Sequence, residues 1–164
     1  MKIIYIVLSV LCLFGLSACS ETKVESAAVT AITIERSDEC HLCGMIIEGF
    51  PGPKGGVTHK TDNIARKFCS TRDMFAYYLD PEHKRNVKQL LVHDMSQVPW
   101  ETPSDDLFID ARSAWYVSGS SKSGAMGTTL ASFAKQSDAF AFSSEFGGEV
   151  LNFEQVTPQI INGF

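Results

Sequence analysis

Hydrophobic and polar positions divide this chain into a leader, a polar stretch and a longer part built of short alternating segments. The first run, Ile3 to Leu16, is apolar almost throughout and follows Lys2. It is too short to cross a bilayer and has the pattern of a secretory signal. Ser20 to Ser37 is small, polar and charged, apart from an alternating patch from Val29 to Ile34, and reads as a tether ending in an edge strand. Met45 to Ile47 predicts a strand, and Val57 to Lys60 a second one. Between them, Phe50-Pro51-Gly52-Pro53-Lys54-Gly55-Gly56 has to be a loop, because proline removes backbone donors and glycine admits unusual angles.

A helix then opens at Ser70, with Asp73 three residues on in a capping-box arrangement. Phe75, Tyr78 and Leu79 give it a buried face, Pro81 stops it, and Gln89 to His93 predicts a short buried strand. In the second half, Phe108-Ile109-Asp110 and Ala114 to Val117 read as strands, Ser137 to Phe146 as a helix stopped by Gly147, and Glu149 to Phe153 as a strand. Phe68, Asp73, Phe75 and Ala76 recur as Phe133, Asp138, Phe140 and Ala141, each 65 positions later. The fold expected is therefore α+β, two similar ββαβ units packed together. The organisation expected is a signal peptide over 1–18, a tether over 19–37, a first unit over 38–100 and a second over 101–164.

The leader ends in Leu16-Ser17-Ala18-Cys19, which resembles the lipobox of bacterial lipoproteins, where the cysteine is acylated and becomes the new N-terminus. Cys19 is thus the expected lipidation site, and its acyl chains would hold the protein at a membrane surface. Ser20 follows, and the resemblance implies sorting to the periplasmic face of the outer membrane. Removal of 18 of 164 residues leaves 146, and loss of Lys2 takes the net charge from −5 to −6. A mildly acidic chain with no basic run argues against nucleic acid as a partner.

Cys12 leaves with the signal, so Cys40, Cys43 and Cys69 are the only remaining thiols. An odd number cannot be fully paired within one chain in an oxidising compartment, so at least one sulfur is free, metal-bound or shared. A disulfide between Cys69 and one of the pair stays open, as does Cys69 as a plain buried hydrophobe. Cys40-His41-Leu42-Cys43-Gly44-Met45 sets two thiols and a thioether within six residues. Polarisable sulfur donors select copper(I), whereas zinc would take Cys and His and leave the methionine out. Cys40, Cys43 and Met45 are the expected copper ligands. Met126, between small residues in Gly124-Ala125-Met126-Gly127, joins them as an accessible thioether. His93 and Met95, one residue apart at a strand end, are further metal candidates.

Two rival chemistries use the same C-x-x-C. A thiol–disulfide oxidoreductase would need the motif after a strand and at a helix start, but here polar residues precede it and an apolar segment follows. A structural zinc module would want a second pair of ligands, and His59, His83 and His93 stand singly in the sequence.

Six ordered blocks carry a wider resemblance: Glu39 to Met45, Phe50 to Gly55, Lys67 to Asp73, Val92 to Met95, Phe108 to Val117 and Gly124 to Gly127. Together they resemble the NosL family, copper-binding lipoproteins of nitrous oxide reductase maturation, over nearly all of the mature chain. The resemblance implies a copper(I) chaperone rather than an enzyme. It would receive the ion from a membrane copper-transporter assembly and deliver it to the nitrous oxide reductase apoprotein. It also implies two ββαβ units and a ligand set mixing Cys, Met and His.

Overall fold

The computed structural model describes residues 32–62 and 64–163. The expected signal peptide, the lipidation site Cys19 and most of the tether lie outside them. Among the described residues no helix is long and apolar enough to cross a membrane.

The first unit consists of β1 (Gly55–His59), β2 (Ala65–Phe68), α1 (Thr71–Tyr78), a one-turn helix α2 (Pro81–Lys84) and β3 (Val87–His93). Its sheet runs β2-β1-β3-β4, all antiparallel, with β4 (Phe108–Asp110) added at the edge. The second unit contains β5 (Trp115–Ser118), a small hairpin of β6 (Ser123–Gly124) and β7 (Gly127–Thr128), β8 (Ala131–Phe133), α3 (Gln136–Phe146) and β9 (Glu149–Asn152). Its sheet runs β8-β5-β9. A last short helix, α4 (Pro158–Asn162), closes the chain.

In both units the first strand lies in the middle, flanked by the second strand and by the strand after the helix. The fold is α+β with two ββαβ units, as expected from the repeat. Phe68 and Phe133 are the last residues of β2 and β8, and Asp73 and Asp138 fall in the first turns of α1 and α3. The strands that fill two of the slots differ from those expected. Met45 to Ile47 forms only an isolated bridge, Ile46 opposite Glu39, and β1 pairs with β2 instead. Phe108–Asp110 joins the first sheet beside β3, so that sheet draws a strand from beyond residue 100. The second unit takes β8 as its second strand.

Helix α1 lies at the centre, with Met74, Phe75, Tyr77 and Tyr78 all buried. Val57, Phe68, Leu90 and Val92 of the first sheet and Tyr116 and Leu151 of the second share one core with it. Phe75 meets Tyr116 edge to face at 5.1 Å. On the outer face of the first sheet, Ile32 packs with Leu91 and Phe108. It fits because Gly56 has no side chain; a Cβ there would stand 2.2 Å from the Ile32 Cδ1. The end of the expected tether is therefore docked on the sheet, and its residues 32–35 are not a strand.

Candidate metal centre

The C-x-x-C segment folds into a tight knuckle. Cys40 N donates to Met45 O at 2.8 Å, and Gly44 N donates back to Cys40 O at 2.8 Å. Gly44 has φ +72°, the left-handed region that a residue with a side chain avoids, which accounts for glycine after the second cysteine. His41 N donates to Lys67 O at 2.8 Å, tying the knuckle to the edge strand β2. The His41 ring stands edge-on to Phe68 and Tyr77, at 6.0 and 5.3 Å.

Strand β2 ends at Phe68, and Cys69 lies between it and Ser70, the N-cap of α1. The Ser70 hydroxyl accepts from Asp73 N at 3.0 Å, which is half of the expected capping box. The Asp73 side chain does not complete the other half but turns to the thiols. Cys69 Sγ lies 3.3 Å and Cys40 Sγ 3.6 Å from Asp73 Oδ2, and Cys43 Sγ lies 3.6 Å from Cys69 Sγ. One donor atom from each of Cys40, Cys43, Cys69 and Asp73 falls within a common 4.8 Å. Cys40 and Cys69 are buried, and Cys43 is open to solvent. Two distant stretches of chain thus supply three soft donors and one hard one to a single point.

The thiols are unequal. The hydrogen bond from Cys69 pulls Cys40 down to about 5 against the opposing effect of burial, helped by backbone N–H groups of Cys69, Cys43 and Leu42. Cys69 holds its proton far more firmly, first because of that same hydrogen bond to Cys40, then because of burial and the Asp73 carboxylate. Burial raises Cys43 as well. Among the three thiols Cys40 is thus the most readily ionised, and an ion that binds the cluster displaces protons from Cys43 and Cys69.

Of the residues singled out from the sequence, Cys40 and Cys43 are brought together. Met45 is half-buried in the knuckle itself, its carbonyl engaged by Cys40. Met126 is 47% exposed at the tip of the β6–β7 hairpin. The root of that hairpin is fixed beside α1, where the Thr71 and Thr129 hydroxyls lie 3.2 Å apart.

His93 and Met95 lie elsewhere. His93 Nδ1 accepts from Lys54 N at 3.2 Å and its Nε2 faces Asp105 Oδ1 at 3.2 Å, so neither nitrogen is free for a metal. Burial lowers His93 to about 4 and keeps it neutral. Met95 is buried in the second unit's core with Val117 and Phe133. A hollow of about 500 Å³ has His93, Lys54 and Asp105 on its wall and no thiol.

Asp73, read from the sequence only as part of a helix cap, and Cys69, whose role the sequence leaves open, join the pair in this cluster. No helical period relates the two, because Cys69 precedes the N-cap Ser70; the signal for Cys69 is the odd thiol count, and Asp73 has none.

The chain is similar to known proteins over most of its length. The sequence profile of the NosL family matches residues 31–161. The chain is 46% identical over 154 residues to the copper-binding lipoprotein NosL of Stutzerimonas stutzeri, spanning 94% of this chain and 80% of the relative. It is 32% identical over 149 residues to the copper-binding lipoprotein NosL of Achromobacter cycloclastes, spanning 89% and 76%. The crystal structure of the copper chaperone NosL from Shewanella denitrificans superposes with a TM-score of 0.77 at 50% identity, covering 79% of this chain and 97% of that one. On the profile, the relatives and the shared fold together, the chain belongs to the NosL family.

Proposed function

We propose that this protein is a copper(I) carrier whose cargo is held by Cys40, Cys43 and Cys69, with Met45 and Met126 as supplementary thioether donors. The observation that carries the reading is the convergence of three sulfurs from two chain segments within 4.8 Å, with one of them at the surface. Three soft sulfurs fit the low coordination number and ligand preference of copper(I). An open Cys43 lets an incoming ligand bind before a donor sulfur leaves, which is what handing on an ion requires.

In this reading Cys19 carries the lipid, and the tether holds the carrier at the periplasmic face of the outer membrane. The ion comes from a membrane copper-transporter assembly and passes to the nitrous oxide reductase apoprotein, as the resemblance of the six sequence blocks implies. The relatives named as copper-binding lipoproteins support both the cargo and the anchor.

The test is competition between reduced protein and a copper(I) chelator, followed by sulfur-edge spectroscopy. Stoichiometric uptake of one copper(I) with a thiolate signature supports the carrier. Unchanged affinity after replacing both Cys40 and Cys43 refutes the site.

One observation favours a second reading. Asp73 adds a hard oxygen as a fourth donor, and three sulfurs with one oxygen would suit tetrahedral zinc. Thermal unfolding with and without chelator separates the two, because a structural ion is required for folding and a cargo ion is not.

A further inference from the structure

The three thiols of the metal centre differ in access as well as in position. Cys40 and Cys69 are 2% and 0% exposed, whereas Cys43 is open to solvent. A dissolved reagent that attacks sulfur therefore meets Cys43 first. Cys43 Sγ in turn lies 3.6 Å from Cys69 Sγ, across the gap between the knuckle and the start of α1. A disulfide needs those sulfurs to close to about 2 Å. The backbone beside Cys43 has room for that shift, because nothing stands within 4 Å of the place a Cβ would take on Gly44. Cys40 is held more firmly, its N–H bonded to Met45 O and its carbonyl to Gly44 N.

We propose that Cys43 and Cys69 of the metal-free protein are a redox modification site, closed to a disulfide by exchange with an external disulfide and opened again by a dithiol, and that the closed form does not take up copper. The bridge stands on the geometry alone; its effect on copper rests on the copper-carrier reading. In the first step the Cys43 thiolate attacks the external disulfide. A bond forms between Cys43 and one external sulfur, the external S–S bond breaks, and the departing thiolate takes up the proton that Cys43 gave. In the second step Cys69 attacks the Cys43 sulfur. The Cys69 thiol donates to Asp73 Oδ2 at 3.3 Å, so its proton has a carboxylate to go to as the sulfur bond forms. The second external thiolate leaves and collects that proton. The pair loses two electrons, and the external disulfide becomes two thiols. The bridge removes two of the three sulfurs that would hold the ion and leaves Cys40 alone. A bound copper(I) engages the same sulfurs and keeps them from attacking, so loading and oxidation exclude one another. Outside the cytoplasm, where disulfides persist, an empty carrier of this kind closes and has to be reduced before it is loaded.

The test incubates reduced, metal-free protein with oxidised glutathione, blocks the remaining thiols by alkylation and maps the peptides by mass spectrometry. The expected map joins Cys43 to Cys69 and finds Cys40 alkylated. Oxidised protein then competes with a copper(I) chelator roughly a hundredfold less well than reduced protein, and treatment with dithiothreitol followed by desalting restores it. Loading with copper(I) beforehand slows the bridge roughly tenfold or more. The bridge still forms in Cys40→Ser, and closure in Cys69→Ser slows by about the same factor or more. A Cys40–Cys43 bridge in the parent, a parent that stops at glutathione on Cys43, or closure of Cys69→Ser at the parent's rate overturns the assigned pair. Equal copper(I) affinity in the oxidised and reduced forms leaves the bridge and overturns its control of uptake. Reduced protein that takes up no copper overturns the carrier reading, and the peptide map then decides the bridge by itself.

Discussion

Replacement of Asp73 by Asn separates a carboxylate that opposes ion binding from one that takes part in it. The Asp73 Oδ2 is 3.3 Å from Cys69 Sγ, and it is one of the groups that hold the Cys69 proton in place. Two unit negative charges at that distance repel by about 5 kcal/mol at an effective dielectric near 20. The Cys40 thiolate and burial outrank Asp73 among the causes, so only part of the effect belongs to the carboxylate. Solvent screening and relaxation leave about 1.4–2.8 kcal/mol of that repulsion, and each 1.4 kcal/mol is tenfold in affinity. Asn is nearly isosteric and leaves the backbone bond from residue 73 to the Ser70 hydroxyl intact, so α1 keeps its cap. If sulfur alone binds copper(I), the variant binds it about tenfold to a hundredfold more tightly at pH 7. The gain shrinks as pH rises and the parent's thiols ionise unaided. Competition against a copper(I) chelator from pH 6 to 9 measures this. A tenfold loss of copper(I) affinity in Asp73→Asn would instead make the oxygen a ligand and overturn the repulsive role of the carboxylate.

Cys43→Ser removes the solvent-facing thiol of the cluster and should weaken copper(I) binding at least a hundredfold, while Met45→Leu or Met126→Leu weakens it about tenfold or less; chelator competition ranks them. Copper(I) affinity should fall steadily as pH drops from 8 to 5, since Cys69 and Cys43 are raised and Cys40 protonates near 5; a flat profile would show that thiolates are not the donors. Lys54 is buried and its ammonium donates to the carbonyls of Phe50, Pro51 and Gly52, at 2.6, 3.1 and 2.7 Å. Lys54→Met strips all three and should destabilise the fold by about 2–4 kcal/mol in urea titrations. Phe75→Ala opens a cavity where the two units meet and should cost about 3–5 kcal/mol, with a single unfolding transition retained.

Much of the fold was legible because local signals agreed with it. The cap at Ser70, the stop at Gly147 and the alternation of Glu149 to Asn152 mark element ends that the structure keeps within a residue or so. Partner choice was not legible. Met45 to Ile47 has the apolar run of a strand, but Gly44 turns the chain so that Ile47 is buried while Ile46 points to solvent. Phe108–Asp110 was recognised as a strand, but nothing in three residues says which sheet it completes. That is decided by β3, whose free edge accepts it. Ile32 could not be seen to dock, because its place is made by the missing side chain of Gly56, far along the chain.

For the metal centre, chemistry was legible at short range and lost at long range. Cys40 and Cys43 announce themselves by spacing, whereas Cys69 and Asp73 each have a sufficient local explanation, as a small buried residue and as part of a helix cap. Only β2, by carrying Lys67 to His41 and Cys69 to Cys43, reveals that the two segments form one site. The bonds that hold the site bear on the nature of its ion. Cys40 N to Met45 O, His41 N to Lys67 O, Thr71 N to Pro53 O and Asp73 N to the Ser70 hydroxyl all form through backbone and cap. Phe68, Cys69 and Met74 sit in a core that closes around α1 from both sheets. An ion that folds a protein supplies constraints the chain lacks. Here the donors are already fixed by hydrogen bonds and packing, so removing the ion should leave the site standing and ready to be filled again. That is the condition a carrier has to meet at every cycle of uptake and release. Amide exchange at Cys40, His41 and Gly44 that stays slow in the metal-free protein is the result this argument requires, and rapid exchange confined to the knuckle would return the ion to a structural role.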